Sequence, residues 1–180
     1  KIVEDTVAEI QRSRSGEHDI LIYPDNEYFR KVYPKVCKSR LEDNDIVLFL
    51  TYYEHPNEVL ARLEQEGIDV DMHRRKGSLI VADAGEEFFA QGKDFLLFLI
   101  KLERQIKALG KNNLTVIVSM SVFMLYEKEE EMLEYEGLLD LSATRDWKVL
   151  CCYHKGDYEK LSESLRAVSY THLRAHETGR

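Results

Sequence analysis

The stretch "HDILIYPDNEYFRK", which runs from His18 to Lys31, decides how the chain is classified. An apolar run of strand-forming residues passes into a helical pattern through the turn Pro24-Asp25-Asn26, which contains no glycine. A loop that grips nucleotide phosphates needs glycines, whose backbone N–H groups converge on the phosphate, and a lysine for the terminal phosphates. Pro24 removes one N–H, and the Asp25 carboxylate repels phosphate. The turn therefore predicts that this strand-to-helix crossing holds something other than a triphosphate.

Four further runs resemble the first in being rich in β-branched and aromatic residues, and all five predict strands. Most are continuously apolar, which is typical of strands buried on both faces of a parallel sheet. Segments with a helical apolar period separate them, each long enough for a crossover between parallel strands. The sequence predicts an α/β three-layer sandwich with a mostly parallel sheet of five or more strands. The runs are "DILIY" ending at Tyr23, "DIVLFLTYY" at Tyr53, "GSLIVAD" at Asp83, "LTVIVSMS" at Ser121 and "WKVLCCY" at Tyr153; the helical segments are residues 26–41, 56–65, 94–109, 128–141 and 158–167.

The composition is typical of one globular domain and excludes some partners. The chain has 180 residues, of which 44% are hydrophobic and 32% charged, and its formal charge of -8 argues against direct nucleic-acid contact. The longest apolar run, "FLLFLI", is far shorter than the roughly 20 residues that a membrane span needs, so a cytoplasmic protein without membrane contact is predicted. Three cysteines, two of them adjacent, favour reduced buried thiols. No cofactor or metal site is expected.

Both ends of the sequence are expected to differ from the native protein. Residues 1–17 are interpreted as an N-terminal helix or linker that is truncated upstream, because the chain opens on Lys1. Residues 168–180 break every earlier pattern, and Ser169 to Glu177 match the translation of a transposon-end adapter used in sequencing libraries. We predict that this tail is not native, so that residues 18–167 form the functional domain.

Candidate site residues come from a general rule about open parallel sheets. Ligands bind at the carboxyl ends of the strands, where loops leave the sheet and helix N-termini point inward. Several of the side chains that this rule selects are tyrosines, which line small-ligand pockets but also pack under loops. The selected positions are Tyr23, Asp25, residues 52–55, Asp83, residues 119–121 and residues 152–154.

Two further residues have both a functional and a structural interpretation. On a helical wheel Glu136 shares a side with Met132, and burial would raise its pKa and suit a ligand-binding acid. A partly exposed carboxylate at the edge of the apolar stripe is the alternative. His18, at the start of the first strand, either contacts a ligand or satisfies a backbone group. No nucleophile has an evident activating partner, so catalysis is not predicted.

The ordered series of these segments resembles the MEDS domain, the sensory domain named from methanogens, methylotrophs and a dichloromethane-responsive regulator. The resemblance covers nearly all of residues 18–167 and implies a RecA/KaiC-like fold without the Walker A phosphate loop. It also implies a sensory role whose output passes to DNA-binding or signal-transduction domains or to partner proteins. The segments are "HDILIYPDNEYF", "DIVLFLTYYEHPNEVLARLEQEGIDV", "GSLIVADAGEEFF", "MLEYEGLLD" and "VLCCYHKGDY".

Individual positions follow from this resemblance. Glu54 falls where the ATPase relatives keep a catalytic acid, and Ser119 stands where an acid is common. The other positions that match family motifs are His18 with Tyr23, Pro56 with Glu58, Val59 and Leu60, Glu134 with Tyr135 and Glu136, and Cys152 with Tyr153.

The predicted function is a ligand-responsive sensory or regulatory domain that binds an unidentified small molecule at the carboxyl edge of the sheet. An output domain or a partner protein would receive the signal, and a homodimer is left open. One alternative is a degenerate nucleotide-binding enzyme with weak activity through Glu54, and another is a docking domain that uses the acidic surface around Glu129, Glu130 and Glu131. The predicted ligand-binding residues are His18, Tyr23, Asp25, Tyr52, Glu54, Ser119, Glu136, Cys152 and Tyr153; no catalytic residue is predicted.

Overall fold

A computed structural model describes residues 2–139, 145–161 and 174–177, which form an α/β domain around one sheet. All described strand pairs are parallel, and the strand order is β3-β2-β4-β5-β1-β6. The parallel sheet between helical layers confirms the predicted fold class. The strands are β1 (His18–Tyr23), β2 (Ile46–Thr51), β3 (Leu79–Asp83), β4 (Leu114–Ser119), β5 (Trp147–His154) and β6 (Arg174–Glu177).

Helices cover both faces of the sheet, as the continuously apolar strands predict. One hydrophobic core lies between the sheet and helices α1 to α4, and the other lies between the sheet and the remaining helices. Successive strand residues alternate between the two cores, so Ile22 enters one and Tyr23 the other. The helices are α1 (Val3–Gln11), α2 (Asn26–Glu42), α3 (Pro56–Gln65), α4 (Val70–Arg75), a π-helix (Gly85–Ala90), α5 (Phe95–Ala108), α6 (Ser121–Leu125), α7 (Glu129–Leu139) and α8 (Lys155–Glu159).

The structure differs from the sequence-based expectations at short elements and at strand ends. Strand β2 stops at Thr51, two residues earlier than predicted, because the Thr51 hydroxyl donates to the Glu54 carbonyl at 2.8 Å and closes a turn. Helix α4 was not predicted; it has only six residues, too few to show a helical period, and the Asp69 carboxylate caps its N-terminus. No strand was expected near the C-terminus, where β6 pairs with β1. None of the helices in the described ranges is long and apolar enough to cross a membrane.

Candidate functional site

The acidic residue in the turn after β1, Asp25, forms a hydrogen bond within the protein. The Asp25 carboxylate accepts a hydrogen bond from the Tyr28 N–H at 2.7 Å and caps the N-terminus of α2. The free N–H groups of a helix N-terminus attract anions, and here a side-chain carboxylate fills that role. Asp25 is exposed, so its carboxylate also adds negative charge to the surface of the turn. The carboxylate at the N-terminus of α2 therefore belongs to the chain itself.

Tyr23, the last residue of β1, places a buried hydroxyl at this edge of the sheet. Its ring stacks on Phe29, with centroids 4.4 Å apart, and the edge of the His154 ring lies 5.7 Å away. The side chain is fully buried, and its hydroxyl has no hydrogen-bond partner among the described residues. Burial raises the pKa of Tyr23 well above its ordinary value, and the nearby Cys152 thiol adds to the rise. Tyr23 is thus a neutral hydrogen-bond donor held in a fixed direction.

Glu54, in the turn after β2, is buried and held by three cationic or hydroxyl groups. Its carboxylate accepts hydrogen bonds from the Tyr33 hydroxyl at 3.1 Å and from Arg62 Nη2 at 3.2 Å. Arg30 Nε lies 3.4 Å from the same carboxylate in an ion pair. Arg62 also donates to the Tyr33 oxygen at 3.1 Å, so the group forms a closed network that joins α2, α3 and the turn. Burial and the Glu54 charge raise the pKa of Tyr33.

A second network joins the turn after β2 to helices α6 and α8, which follow β4 and β5. Asp157 in α8 accepts a hydrogen bond from the Ser121 hydroxyl at 2.6 Å, and the same carboxylate oxygen accepts one from the Tyr53 hydroxyl. Burial and this hydrogen bond raise the pKa of Tyr53 to about 12. His154 lies between Tyr23 and Tyr53, with its ring 6.0 Å from that of Tyr53. We refer to Tyr23, Tyr53, Ser121, His154 and Asp157 as the edge cluster.

Two histidines that follow strands serve as helix caps. His55 Nδ1 accepts the Asn57 N–H at 3.1 Å at the start of α3, and His154 Nδ1 accepts the Gly156 N–H at 3.1 Å at the start of α8. Accepting a backbone N–H fixes Nδ1 as the unprotonated nitrogen in the neutral ring. The cap on α8 therefore fixes the orientation of the His154 ring, which lies beside Tyr23 and Tyr53.

The structure brings only some of the predicted ligand-binding residues together. Ser119 pairs in register with Cys152, and both are buried on the same face of the sheet as Tyr23. His18 begins β1, at the opposite end of that strand from Tyr23, and its Nε2 lies 3.1 Å from the Cys151 sulfur. It is not part of the edge cluster.

Tyr153, Tyr52 and Glu136 fall elsewhere. Tyr153 points to the other face of the sheet, where its hydroxyl contacts the Met132 sulfur at 3.4 Å. Tyr52 is partly buried and packs against that same core. The backbone of Glu136 lies in α7, but its side chain lies outside the described residues.

The two buried thiols on the Tyr23 face are unreactive. Burial raises the pKa of Cys37 to about 12 and that of Cys152 well above its ordinary value. A thiol with such a pKa stays protonated at neutral pH and is a poor nucleophile. All three cysteines are free and buried, as their spacing predicts.

The edge cluster and the Glu54 network also contain residues that the sequence did not reveal, namely Arg30, Tyr33, Arg62 and Asp157. The rule about strand ends reached His154 but stopped before Asp157, which lies three residues farther along in α8. Arg30 and Arg62 lie on helices, where no pattern separates a buried charge partner from a solvated one. The only available signal was the acid Glu54 itself, because a buried carboxylate needs a cationic or hydrogen-bonding partner.

Comparison with protein families identifies the domain. The family model described as MEDS, the methanogen/methylotroph, DcmR sensory domain, matches residues 17–173. The chain belongs to the MEDS family. A search of curated protein sequences found no match.

The solved structures similar to this MEDS domain include a KaiC-like protein from the hyperthermophilic archaeon Pyrococcus horikoshii OT3. The two are 17% identical in sequence, with a TM-score of 0.60 over 92% of this chain and 74% of the archaeal chain. At this level of identity the similarity shows a shared fold and nothing about activity. It confirms the RecA/KaiC-like architecture that the resemblance implied.

Proposed function

We propose that this MEDS domain senses a small molecule that binds at the carboxyl edge of the sheet and accepts a hydrogen bond from the Tyr23 hydroxyl. The observation that carries the proposal is the buried hydroxyl without a protein partner among the described residues. A buried, unsatisfied donor costs about 1–3 kcal/mol, and a bound ligand with an acceptor atom would remove that cost. Burial raises the pKa of Tyr23, so the hydroxyl keeps its proton and acts as a donor.

The arrangement of the edge cluster supports a role in signalling as well as binding. Asp157 in α8 accepts hydrogen bonds from Tyr53 in the turn after β2 and from Ser121 at the start of α6. The His154 ring lies beside that of Tyr23. A ligand at Tyr23 would contact groups that belong to separate elements. It would shift the arrangement of α8 relative to α2 only by its difference in affinity for the two states. An output domain or a partner protein would read that shift.

Binding without catalysis is the second part of the proposal. The Glu54 carboxylate, which is the candidate acid of the enzymatic alternative, is engaged by Arg30, Arg62 and Tyr33. A carboxylate in contact with two guanidinium groups and a hydroxyl is held by charge-assisted interactions within the protein. This supports a structural role for Glu54 in the domain.

A matched pair of variants tests the ligand site. Native mass spectrometry of the gently purified chain, followed by a thermal-shift screen of metabolites, would look for a bound or stabilising small molecule. Tyr23→Phe removes the orphan hydroxyl, whereas Tyr153→Phe makes the same change at the same strand ends on the opposite face. We expect binding to survive in Tyr153→Phe and to weaken at least about tenfold, or about 1.4 kcal/mol, in Tyr23→Phe.

Two results would contradict the proposal. One is a ligand that binds wild type and Tyr23→Phe equally well. The other is a wild-type domain that carries no adduct and whose melting temperature no metabolite changes.

A further inference from the structure

Strand β3 leaves one side of its backbone open. Among the described strands it pairs with β2 alone, at the end of the sheet order. Val47 donates its N–H to the Ser78 carbonyl at 2.8 Å, which fixes the side that faces β2. Because backbone groups alternate along a strand, the N–H and C=O groups of Leu79, Val81 and Asp83 point away from β2. Such a row of groups is a template for another strand.

Strand β3 itself contains neither a proline nor a lysine that would hinder strand pairing. Edge strands are commonly blunted by a proline, by a lysine within the strand or by a bulge. Strand β3 reads Leu79-Ile80-Val81-Ala82-Asp83, which is apolar until its last residue and has no proline. A groove of about 510 Å³ runs along its first half, between the strand and α4. An open strand of this kind is a site at which a second strand can pair.

The two ends of β3 carry opposite charges, with basic residues near the amino end and acidic residues near the carboxyl end. Asp71, Arg74 and Arg75 line the groove beside the amino end of β3, and all three are exposed, so the two arginines give this end a net positive charge. Asp83 ends the strand, and the exposed Glu86 follows it. If a second β3 lies antiparallel to the first, the basic end of each strand meets the acidic end of the other. The edge is therefore self-complementary in charge as well as in backbone geometry.

We propose that the domain forms a two-fold dimer in which β3 pairs antiparallel with β3 of a second copy, centred on Val81. In this register Val81 exchanges both backbone hydrogen bonds with its own equivalent, and Leu79 faces Asp83 of the second copy. The outward direction of all three residues fits the hydrogen-bonded pairs of an antiparallel ladder. The dimer would join two sheets through the edge farthest from β1 and Tyr23.

One substitution isolates the backbone contact. Val81→Pro removes the N–H that points to the second copy but leaves the hydrogen bonds between β3 and β2 intact, and prolines are tolerated at such edges. Val81→Ala is the control, since it shortens the same side chain and keeps the N–H. Light scattering on the full chain over a concentration series should show a dimer for wild type and Val81→Ala. The dissociation constant should rise at least about tenfold for Val81→Pro, with circular dichroism confirming that the variant is folded.

A charge exchange tests the register independently. Arg75→Glu and Glu86→Lys should each weaken the dimer, and the double variant should restore it because the charges are then complementary in the opposite sense. The proposal is overturned by a wild-type monomer at every concentration, or by equal dimerisation of the folded Val81→Pro and Val81→Ala variants. It is also overturned if Arg75→Glu strengthens association, because Arg75 would then protect the edge from pairing.

Discussion

The Tyr23 hydroxyl and the Glu54 carboxylate are two buried polar groups on the same face of the sheet, and they differ in their hydrogen bonding. Glu54 is buried and is engaged by two arginines and a tyrosine drawn from α2 and α3. Tyr23 is buried as completely, yet its hydroxyl has no partner among the described residues. The two groups are close enough for the Glu54 charge to raise the pKa of Tyr23. The two groups lie in the same region of the protein, so their location does not explain why Glu54 has hydrogen-bond partners and the Tyr23 hydroxyl has none among the described residues.

The contrast separates a structural polar group from a candidate functional one. Buried polar groups in native proteins are satisfied in the great majority of cases, and each exception invites an explanation. A chain that gathers three partners around Glu54 retains an unfavourable group nearby at Tyr23. Functional sites commonly retain features that lower stability. We infer that the Tyr23 hydroxyl is kept for a ligand and that the Glu54 network is kept for the fold.

Removing the Glu54 charge should have the largest effect on stability. Glu54→Gln leaves Arg30 and Arg62 without their carboxylate, and the free energy of unfolding should fall by about 2 kcal/mol. This is below the value for fully buried pairs because the arginine side chains are 39% and 33% exposed. Urea denaturation measures the change. The control is Glu58→Gln on the exposed side of α3, which should change stability by less than about 0.5 kcal/mol. Equal stability of the two variants would return Glu54 to the list of candidate catalytic acids.

The same chemical change at two tyrosines should have opposite effects. Tyr23→Phe removes an unsatisfied buried donor, so the free energy of unfolding of the ligand-free domain should rise by about 1 kcal/mol. Tyr33→Phe removes a hydroxyl that donates to Glu54 and accepts from Arg62, so it should fall by about 1 kcal/mol. Thermal and urea unfolding of both variants test the signs. If Tyr23→Phe is destabilising instead, its hydroxyl has a structural partner and the contrast fails.

The sequence predicted the sheet and helices where periodicity is strong. The helical segment 94–109 is an example. Its apolar period places Phe95, Leu99, Leu102, Ile106 and Leu109 on one stripe, and the first four are buried in α5. Leu109, which was assigned to the same stripe, is 40% exposed because it is the C-cap residue and no longer follows the helical turn. The order of the strands did not follow from local patterns, because parallel neighbours such as β1 and β5 are distant in sequence.

The candidate site was predicted less completely than the fold. The rule about strand ends selected the carboxyl edge, where the edge cluster lies. Adjacent residues such as Cys152 and Tyr153 fall on opposite faces of the sheet, and the rule does not distinguish faces. The link from Asp157 to Tyr53 joins residues more than a hundred positions apart. A contact of that kind depends on the folded positions of the turn after β2 and of α8, which no local sequence pattern encodes.

Alkaline pH provides a finer test of the edge cluster. The pKa of Tyr53 is raised from 10 to about 12, so between these values the native state binds more protons than the unfolded chain. Stability should therefore be complete below pH 10 and fall as the pH rises toward 12. Tyr23 and Tyr33 contribute in the same direction. Urea unfolding over this range should give a shallower decline for Tyr53→Phe than for wild type. Identical slopes would show that burial and the Asp157 hydrogen bond do not raise the pKa of Tyr53.

Deleting the C-terminal tail should have the smallest effect on stability. The result tests whether the contrast between Tyr23 and Glu54 holds in a domain without residues 168–180. Strand β6 pairs with residues 19–22 of β1, the strand that ends at Tyr23. If residues 168–180 are translated adapter sequence, as we predict, the fold did not evolve to depend on that pairing. Deleting them should then change the free energy of unfolding by less than about 0.5 kcal/mol and leave the spectra of the tyrosines unchanged. A loss well above that value would show that β6 supports β1. The position of the Tyr23 hydroxyl would then depend on residues that we assign to an adapter, and that assignment would be wrong.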